Sequence, residues 1–253
     1  MGYVERILNY DAARDTSVRV GFKNVFSELT YRILPSNGSG LRHNFQFTNY
    51  YVLNPNNSFN ELSQELIYGI DFRNTAALSA ELIRDNVQLL YPISFTDKVP
   101  LPAKKYDFTQ FSIEYLSDAR KQFSYSAGGG AGTFYNGNYR QLKGSITFRS
   151  QPHFNLTLTA EYNKLIFPEP YGSTELFLIA PRLQLNFSTR IFWTTFVQYN
   201  TQQNNFNINS RFQWRYKPMS DLFIVYTDNY FTDPFFKNKN RALIFKLNYW
   251  LNL

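Results

Sequence analysis

The chain has 253 residues and no cysteine, and its 26 Lys and Arg against 19 Asp and Glu give a net charge of +7. No run approaches the roughly 20 consecutive apolar residues that a spanning helix requires, which excludes a helical membrane protein. The basic residues are scattered without a run or a recognition-helix pattern, so nucleic acid is not the expected partner.

The mean hydropathy of -0.38 is that of a water-soluble chain, yet 25 Phe and 19 Tyr exceed what a soluble core of this size needs. A closed β-barrel with an apolar outer band, aromatic girdles and a polar lumen accounts for both observations. The absence of cysteine fits a secreted bacterial protein.

Taken in chain order, Met1-Gly2-Tyr3-Val4-Glu5-Arg6 has neither an apolar core nor a small-residue cleavage site. The chain therefore reads as a mature fragment or the C-terminal part of a longer one. Residues 3–20 are expected to supply one strand, interrupted by Asp11-Ala12-Ala13-Arg14-Asp15. About thirteen clear strands follow from Val25 onward, and single-chain bacterial barrels have even numbers, so about 14 strands are expected, with about 12 or 16 as the neighbouring counts.

Early strands centre on residues 45–53, 66–72 and 77–83, separated by residues 54–60 and a tight turn at Asn74-Thr75. His43 shares a face with Phe45 and Phe47, which places it outward near the periplasmic interface as an interfacial rather than a catalytic group. Glu61 and Glu65 read as the solvated start of a strand, not as metal ligands. The longest connector, residues 90–105, carries Pro92, Pro100 and Pro102. It is expected to be an extracellular loop that folds into or over the lumen, with Tyr91, Pro92, Phe95, Lys98 and Pro100 as its gate or plug residues.

The run Ala127-Gly128-Gly129-Gly130-Ala131-Gly132 matches neither a phosphate loop nor a dinucleotide fingerprint. Glycines of this kind let a strand bend or a neighbouring loop approach closely. Beyond it the alternation is regular. Leu142, Ile146 and Phe148 oppose Gln141, Lys143, Ser145, Thr147 and Arg149; Leu156, Leu158, Ala160 and Tyr162 oppose Asn155, Thr157, Thr159 and Glu161.

Connectors are expected to alternate between longer extracellular and short periplasmic ones. Residues 133–137, 167–173, 201–204 and 232–240 are read as the longer set; residues 117–119, Gln151-Pro152 (next to His153), Ser188-Thr189 and residues 217–220 as the short set. Calcium through Asp228 and Asp233 has little support, because these oxygens lack a compact loop. No metal and no cofactor are expected.

The sharpest pattern lies near the end. Phe206, Ile208, Phe212, Trp214 and Tyr216 alternate with Asn207, Asn209, Arg211, Gln213 and Arg215. Leu243, Phe245, Leu247, Tyr249, Leu251 and Leu253 alternate with Lys246, Asn248 and Asn252 up to the last residue. Period two of this kind marks strands with one apolar and one polar face. Asn207, Asn209, Arg211, Gln213, Arg215, Lys246 and Asn248 are the candidate lumen-lining residues.

The segments Phe196-Val197-Gln198-Tyr199-Asn200, Arg211-Phe212-Gln213-Trp214-Arg215-Tyr216-Lys217-Pro218, Ser220-Asp221-Leu222-Phe223-Ile224-Val225-Tyr226 and Asn240-Arg241-Ala242-Leu243 resemble, in that order, a family of Bacteroidota-type outer-membrane barrels of unknown function. Longer members of that family carry an N-terminal carbohydrate-binding-like domain resembling those of xylanases. The resemblance covers about residues 105–253. It implies an outer-membrane barrel, taken here as a single domain over residues 1–253, and the even strand count places both termini in the periplasm.

The expected function is a non-enzymatic structural or anchoring scaffold, in contact with outer-membrane lipid and with another membrane or periplasmic protein as a partner. The alternative is a passive channel or transporter component for polar or anionic solutes. The oligomeric state is left open.

Overall fold

A computed structural model describes residues 2–11, 16–202, 204–232 and 236–251, with side chains from residue 21 onward. The described chain is all-β and forms one antiparallel sheet. Its fourteen strands follow one another in sequence order. They are β1 Gly2–Asp11, β2 Thr16–Ile33, β3 Gly40–Leu53, β4 Phe59–Phe72, β5 Ala77–Gln88, β6 Lys105–Leu116, β7 Phe123–Phe134, β8 Gly137–Ser150, β9 Phe154–Ile166, β10 Ser173–Asn186, β11 Ile191–Asn200, β12 Asn205–Lys217, β13 Ser220–Phe231 and β14 Lys237–Leu247. The strand order starts at β1 and ends at β14.

The expected fourteenth strand exists at the N-terminus, but its limits differ from the expectation. Residues 16–20 open the 18-residue β2 instead of closing the first strand. The polar interruption after Asp11 is the connector itself, of which residues 12–15 lie outside the described residues. Glu65 is likewise not at a strand start: it sits in mid-β4, opposite Thr48 and Ile83.

The expected alternation of connectors fails around β7. The turn between β7 and β8 is only Tyr135 and Asn136, because β7 runs on to Phe134 and β8 already begins at Gly137. At the other end of β7 the connector is longer than expected, residues 117–122. It is held by its own hydrogen bonds: the Arg120 backbone N–H, Nε and Nη2 all donate to the nearly buried Asp118 carboxylate, and Arg149 donates to the Ala119 and Lys121 carbonyls. The pairing with Asp118 also raises the Arg120 guanidinium above its ordinary pKa.

The chain packs as two compact units. The first comprises Met1–Tyr115, Gly128–Gln141 and Lys164–Glu175; the second comprises Leu116–Ala127, Leu142–Asn163 and Leu176–Leu253.

In the first unit the register puts like side chains in line. Leu29, Phe47, Leu66 and Leu82 form one row across β2 to β5, and all four are exposed. Directly opposed residues of an antiparallel pair point to the same side, so this row defines an apolar face. The next row, Glu28, Thr48, Glu65 and Ile83, lies on the other, polar face. His43 is on the apolar face as expected, with its Nδ1 2.8 Å from the Tyr68 hydroxyl.

The second unit repeats the arrangement. Leu185, Trp193, Phe212, Ile224 and Phe245 form a row across β10 to β14. Buried apolar residues are few: Phe22, Val52, Ala76, Leu101, Tyr106, Phe108, Leu165 and Phe167 are those among the described residues. Five of them, Leu101, Tyr106, Phe108, Leu165 and Phe167, form one cluster in the first unit.

Strand β14 ends at Leu247, before the end of the alternating pattern. Asn248 still exchanges both backbone hydrogen bonds with Asp221. The chain then leaves the ladder, with the Trp250 N–H bonded to the Ser220 hydroxyl at 3.0 Å. Asn252 and Leu253 lie outside the described residues.

Candidate functional site

Each unit carries one feature on its own polar face. In the second unit, Asn207, Asn209, Arg211, Gln213 and Arg215 do project to one side of β12, since their partners on β13 are Asn229, Thr227, Val225, Phe223 and Asp221. Across β13, Lys246 opposes Phe223, and the backbone pairing of Asn248 with Asp221 carries the same ladder on.

The wall these residues form is mixed, not uniformly polar. Gln213 stands between Phe192 and Phe223, Arg211 between Thr194 and Val225, and Asn209 between Phe196 and Thr227. Apolar stems such as that of Arg211 suit such neighbours.

The polar groups of the wall are extensively engaged with one another. Asn209 Nδ2 donates to Thr227 Oγ1 at 2.8 Å, and Asn207 donates to Asn229, which donates on to Asn240. Gln213 Nε2 and Arg215 Nε both donate to Asp221 Oδ1, at 3.0 and 3.3 Å. Arg215 is therefore an ion-paired group, and the expected positive wall is weaker by that charge.

Asp228, weighed above and set aside as a calcium ligand, has a structural place. The residue sits on the apolar face, opposite Ile208 and Arg241. Its carboxylate accepts from Tyr226 and Tyr230 hydroxyls at 2.6 Å each, from Asn238 at 2.7 Å and from Arg241 at 2.8 Å. Three of these donors share Oδ2 and Asn238 takes Oδ1, so the carboxylate is committed to a network in which one partner is cationic. Asp233 lies outside the described residues. The described residues hold no grouping of three or more metal-binding side chains. His153 also has a structural place: its Nδ1 is 2.9 Å from the Asn186 carbonyl.

The second feature is the long connector, residues 89–104. Its proline-rich middle forms a narrow hairpin in which Ile93 and Leu101 exchange backbone hydrogen bonds at 3.1 and 2.7 Å. The hairpin packs on side chains of β6 and β9, because the buried cluster joins Leu101 to Tyr106, Phe108, Leu165 and Phe167.

Phe95 lies 5.0 to 5.7 Å from the rings of Phe134, Tyr135 and Phe167. Thr96 Oγ1 donates to the Tyr171 carbonyl. The Lys98 side chain crosses Gly172, whose φ of +74° leaves no easy place for a Cβ. Of the expected plug residues, Phe95 is thus central and Lys98 flanks it, whereas Tyr91 is exposed.

Sequence reasoning missed Leu101, which is 2% exposed and is the deepest side chain of the loop. Its signal was weak: one leucine between two prolines, with no periodic partner.

Beside the loop, the β4–β5 ladder carries one carboxylate in each of four successive polar-face rows. Glu61 is opposite Val87, Asp85 opposite Ser63, Glu65 opposite Ile83, and Glu81 opposite Ile67. Thr48 Oγ1 donates to Glu65 at 2.8 Å, and Ser112 Oγ to Glu81 at 3.1 Å. This acidic column was not foreseen, because its members come alternately from two strands.

Comparison with known proteins gives no match to a family model, to a curated protein or to a solved structure.

Proposed function

We propose that the sheet closes by pairing β1 with β14 into a transmembrane β-barrel of a bacterial outer membrane, and that it serves as a plugged, non-enzymatic scaffold. The observation that carries this reading is the apolar face. Rows such as Leu29, Phe47, Leu66 and Leu82 leave their side chains exposed. Each large apolar side chain left in water forgoes about 1.5–3 kcal/mol. An apolar area of this extent calls for lipid or another protein.

The small buried core supports the same conclusion, since a soluble domain of similar length places far more of its surface inside. Strand lengths of 10 to 18 residues suit tilted spanning strands of about 9–11 residues with rims beyond the bilayer. The resemblance of the last third of the chain to Bacteroidota-type barrels points the same way.

The scaffold reading is preferred to transport because residues 89–104 are seated on the polar face by the aromatic cluster around Phe95. A passive channel is the second reading, favoured by the polar and charged side chains on β4, β5 and β12.

The chain lacks cysteine, so paired cysteines introduced in β1 and β14 report closure without background. A cross-link forming in vesicles at one register is expected. Its absence across all registers defeats the barrel. Planar-bilayer conductance then separates the two readings: silence in the intact protein supports the scaffold, and steady conductance without deleting the loop supports the channel.

A further inference from the structure

We propose that the recess between the β10–β11 connector and the β12–β13 turn is a binding site for a soluble phosphomonoester, its phosphoryl oxygens held by Arg190, Lys217 and the Nη groups of Arg215. The recess has a volume of about 450 Å³. That is the size of an ordinary small-molecule site. The connector contributes Thr189 and Arg190, the ends of the two strands contribute Arg215, Lys217 and Asp221, and Pro218 and Met219 add apolar surface.

Three cations and one carboxylate meet there, and the carboxylate is already committed. Asp221 Oδ1 accepts from Arg215 Nε at 3.3 Å and from Gln213 Nε2 at 3.0 Å, which leaves the Nη groups of Arg215 without an acceptor among the described residues. Lys217 Nζ has only neutral partners, the Tyr249 hydroxyl at 3.5 Å and the centre of that ring at 5.3 Å. The Arg190 side chain makes no hydrogen bond and no ion pair among the described residues. With Arg215 and Asp221 taken as a pair, Arg190 and Lys217 thus remain without a counter-ion.

A phosphomonoester brings a charge of about −1.5 to −2 at neutral pH and three strong acceptor oxygens. It matches both the surplus charge and the planar guanidinium donors. A monoanion matches only half of that charge.

The backbone holds the two arginines together. Ser188 Oγ accepts from the Arg190 and Ile191 N–H groups at 3.2 Å each, and the Arg190 carbonyl accepts from the Arg215 N–H at 2.8 Å. Arg190 therefore continues the ladder in which Ile191 opposes Trp214 and stands opposite Arg215. Like charges so opposed destabilise a sheet on their own, and an anion between them removes that cost. Arg215 shares its side of β12 with Arg211 and Gln213, so the recess lies at the turn end of the polar wall.

This site does not depend on the membrane reading, because every lining residue belongs to the second unit.

The test is a titration of the full chain in dodecyl maltoside micelles with phenyl phosphate, and in parallel with benzenesulfonate, which has the same ring and a single charge, followed by ligand-observed NMR. Phenyl phosphate is expected to bind saturably and benzenesulfonate about tenfold more weakly, a difference of about 1.4 kcal/mol. Arg190→Gln, a change at an exposed side chain, should weaken phenyl phosphate by a similar factor. Arg32→Gln, which removes the same charge from exposed β2 surface, should leave it unchanged, and inorganic phosphate should compete. Equal affinity for the two probes, equal effects of the two substitutions, or no saturable binding to the unaltered chain overturns the site. Displacement of phenyl phosphate by phosphatidylglycerol added to the micelles, with none by inorganic phosphate, overturns the soluble ligand in favour of a lipid headgroup. Each of these results stands whatever the cross-linking of β1 to β14 shows.

Discussion

At the scale of single residues, the sharpest consequence of the fold concerns neighbours in one strand. Leu66 lies between Phe47 and Leu82 on the apolar face, whereas Ile67 lies between Gln46 and Glu81 on the polar face. In the proposed membrane setting, Leu66→Arg places a guanidinium against lipid and is expected to cost about 2–4 kcal/mol. Ile67→Arg brings the same group beside Glu81 and should cost clearly less. Reversible guanidinium unfolding from lipid vesicles measures both, and equal losses would refute the assignment of faces.

For Leu66 and Ile67, both apolar, the parity comes only from the pairing; in β12, where apolar and polar residues alternate, it was legible in the sequence, because period two is a property of one strand. What stood opposite was not. Nothing within residues 205–217 announces that Phe192 and Phe223 flank Gln213, since register is set by pairing between strands. Arg215 looked free for the same reason, its partner Asp221 lying across a two-residue turn on the next strand.

At the scale of elements, the glycine run around Gly130 was read as letting a strand bend or a neighbouring loop approach closely. What approaches is a strand, β6: a Cβ on Gly132 would come 2.7 Å from the Gln110 Cα and 3.0 Å from the Thr109 carbonyl carbon. The connector expected from residue 133 also starts later, because β7 continues to Phe134.

Gly132→Ala is expected to destabilise by about 1–3 kcal/mol, because backbone and not a flexible side chain must move. Gly69→Ala, whose new Cβ would meet nothing nearer than the Asn44 Cβ at 3.9 Å, should stay within about 0.5 kcal/mol. Unfolding midpoints of the two variants in the same micelles test this, and a tolerated Gly132→Ala would mean that β6 and β7 are not so closely apposed. The long loop was legible as an element from its three prolines, but its seat was not, because Leu101 and Phe167 are 66 positions apart and meet only in the fold.

At the scale of the molecule, the strand count and the meander order were readable from the spacing of turns, whereas the distribution of charge was not. Reading β12 alone suggested a positive lumen favouring anions. The β4–β5 ladder adds Glu61, Asp85, Glu65 and Glu81 in consecutive rows, and Arg215 is neutralised by Asp221. In the proposed closed barrel both polar faces line one lumen, so the acidic column should set the sign of its selectivity by lowering the barrier for cations.

The prediction applies to the chain with residues 90–104 removed, where the seat around Phe95 no longer blocks passage. In a potassium chloride gradient the reversal potential should show cation preference. Glu65→Gln with Glu81→Gln should shift it toward anions, since these carboxylates stand at mid-strand with hydroxyl donors that hold them in place. Arg211→Gln should shift it the other way. Anion preference before any substitution would mean that β12 dominates after all; a potential indifferent to all three changes would mean that ions do not pass along these walls, which leaves the scaffold as the reading that survives.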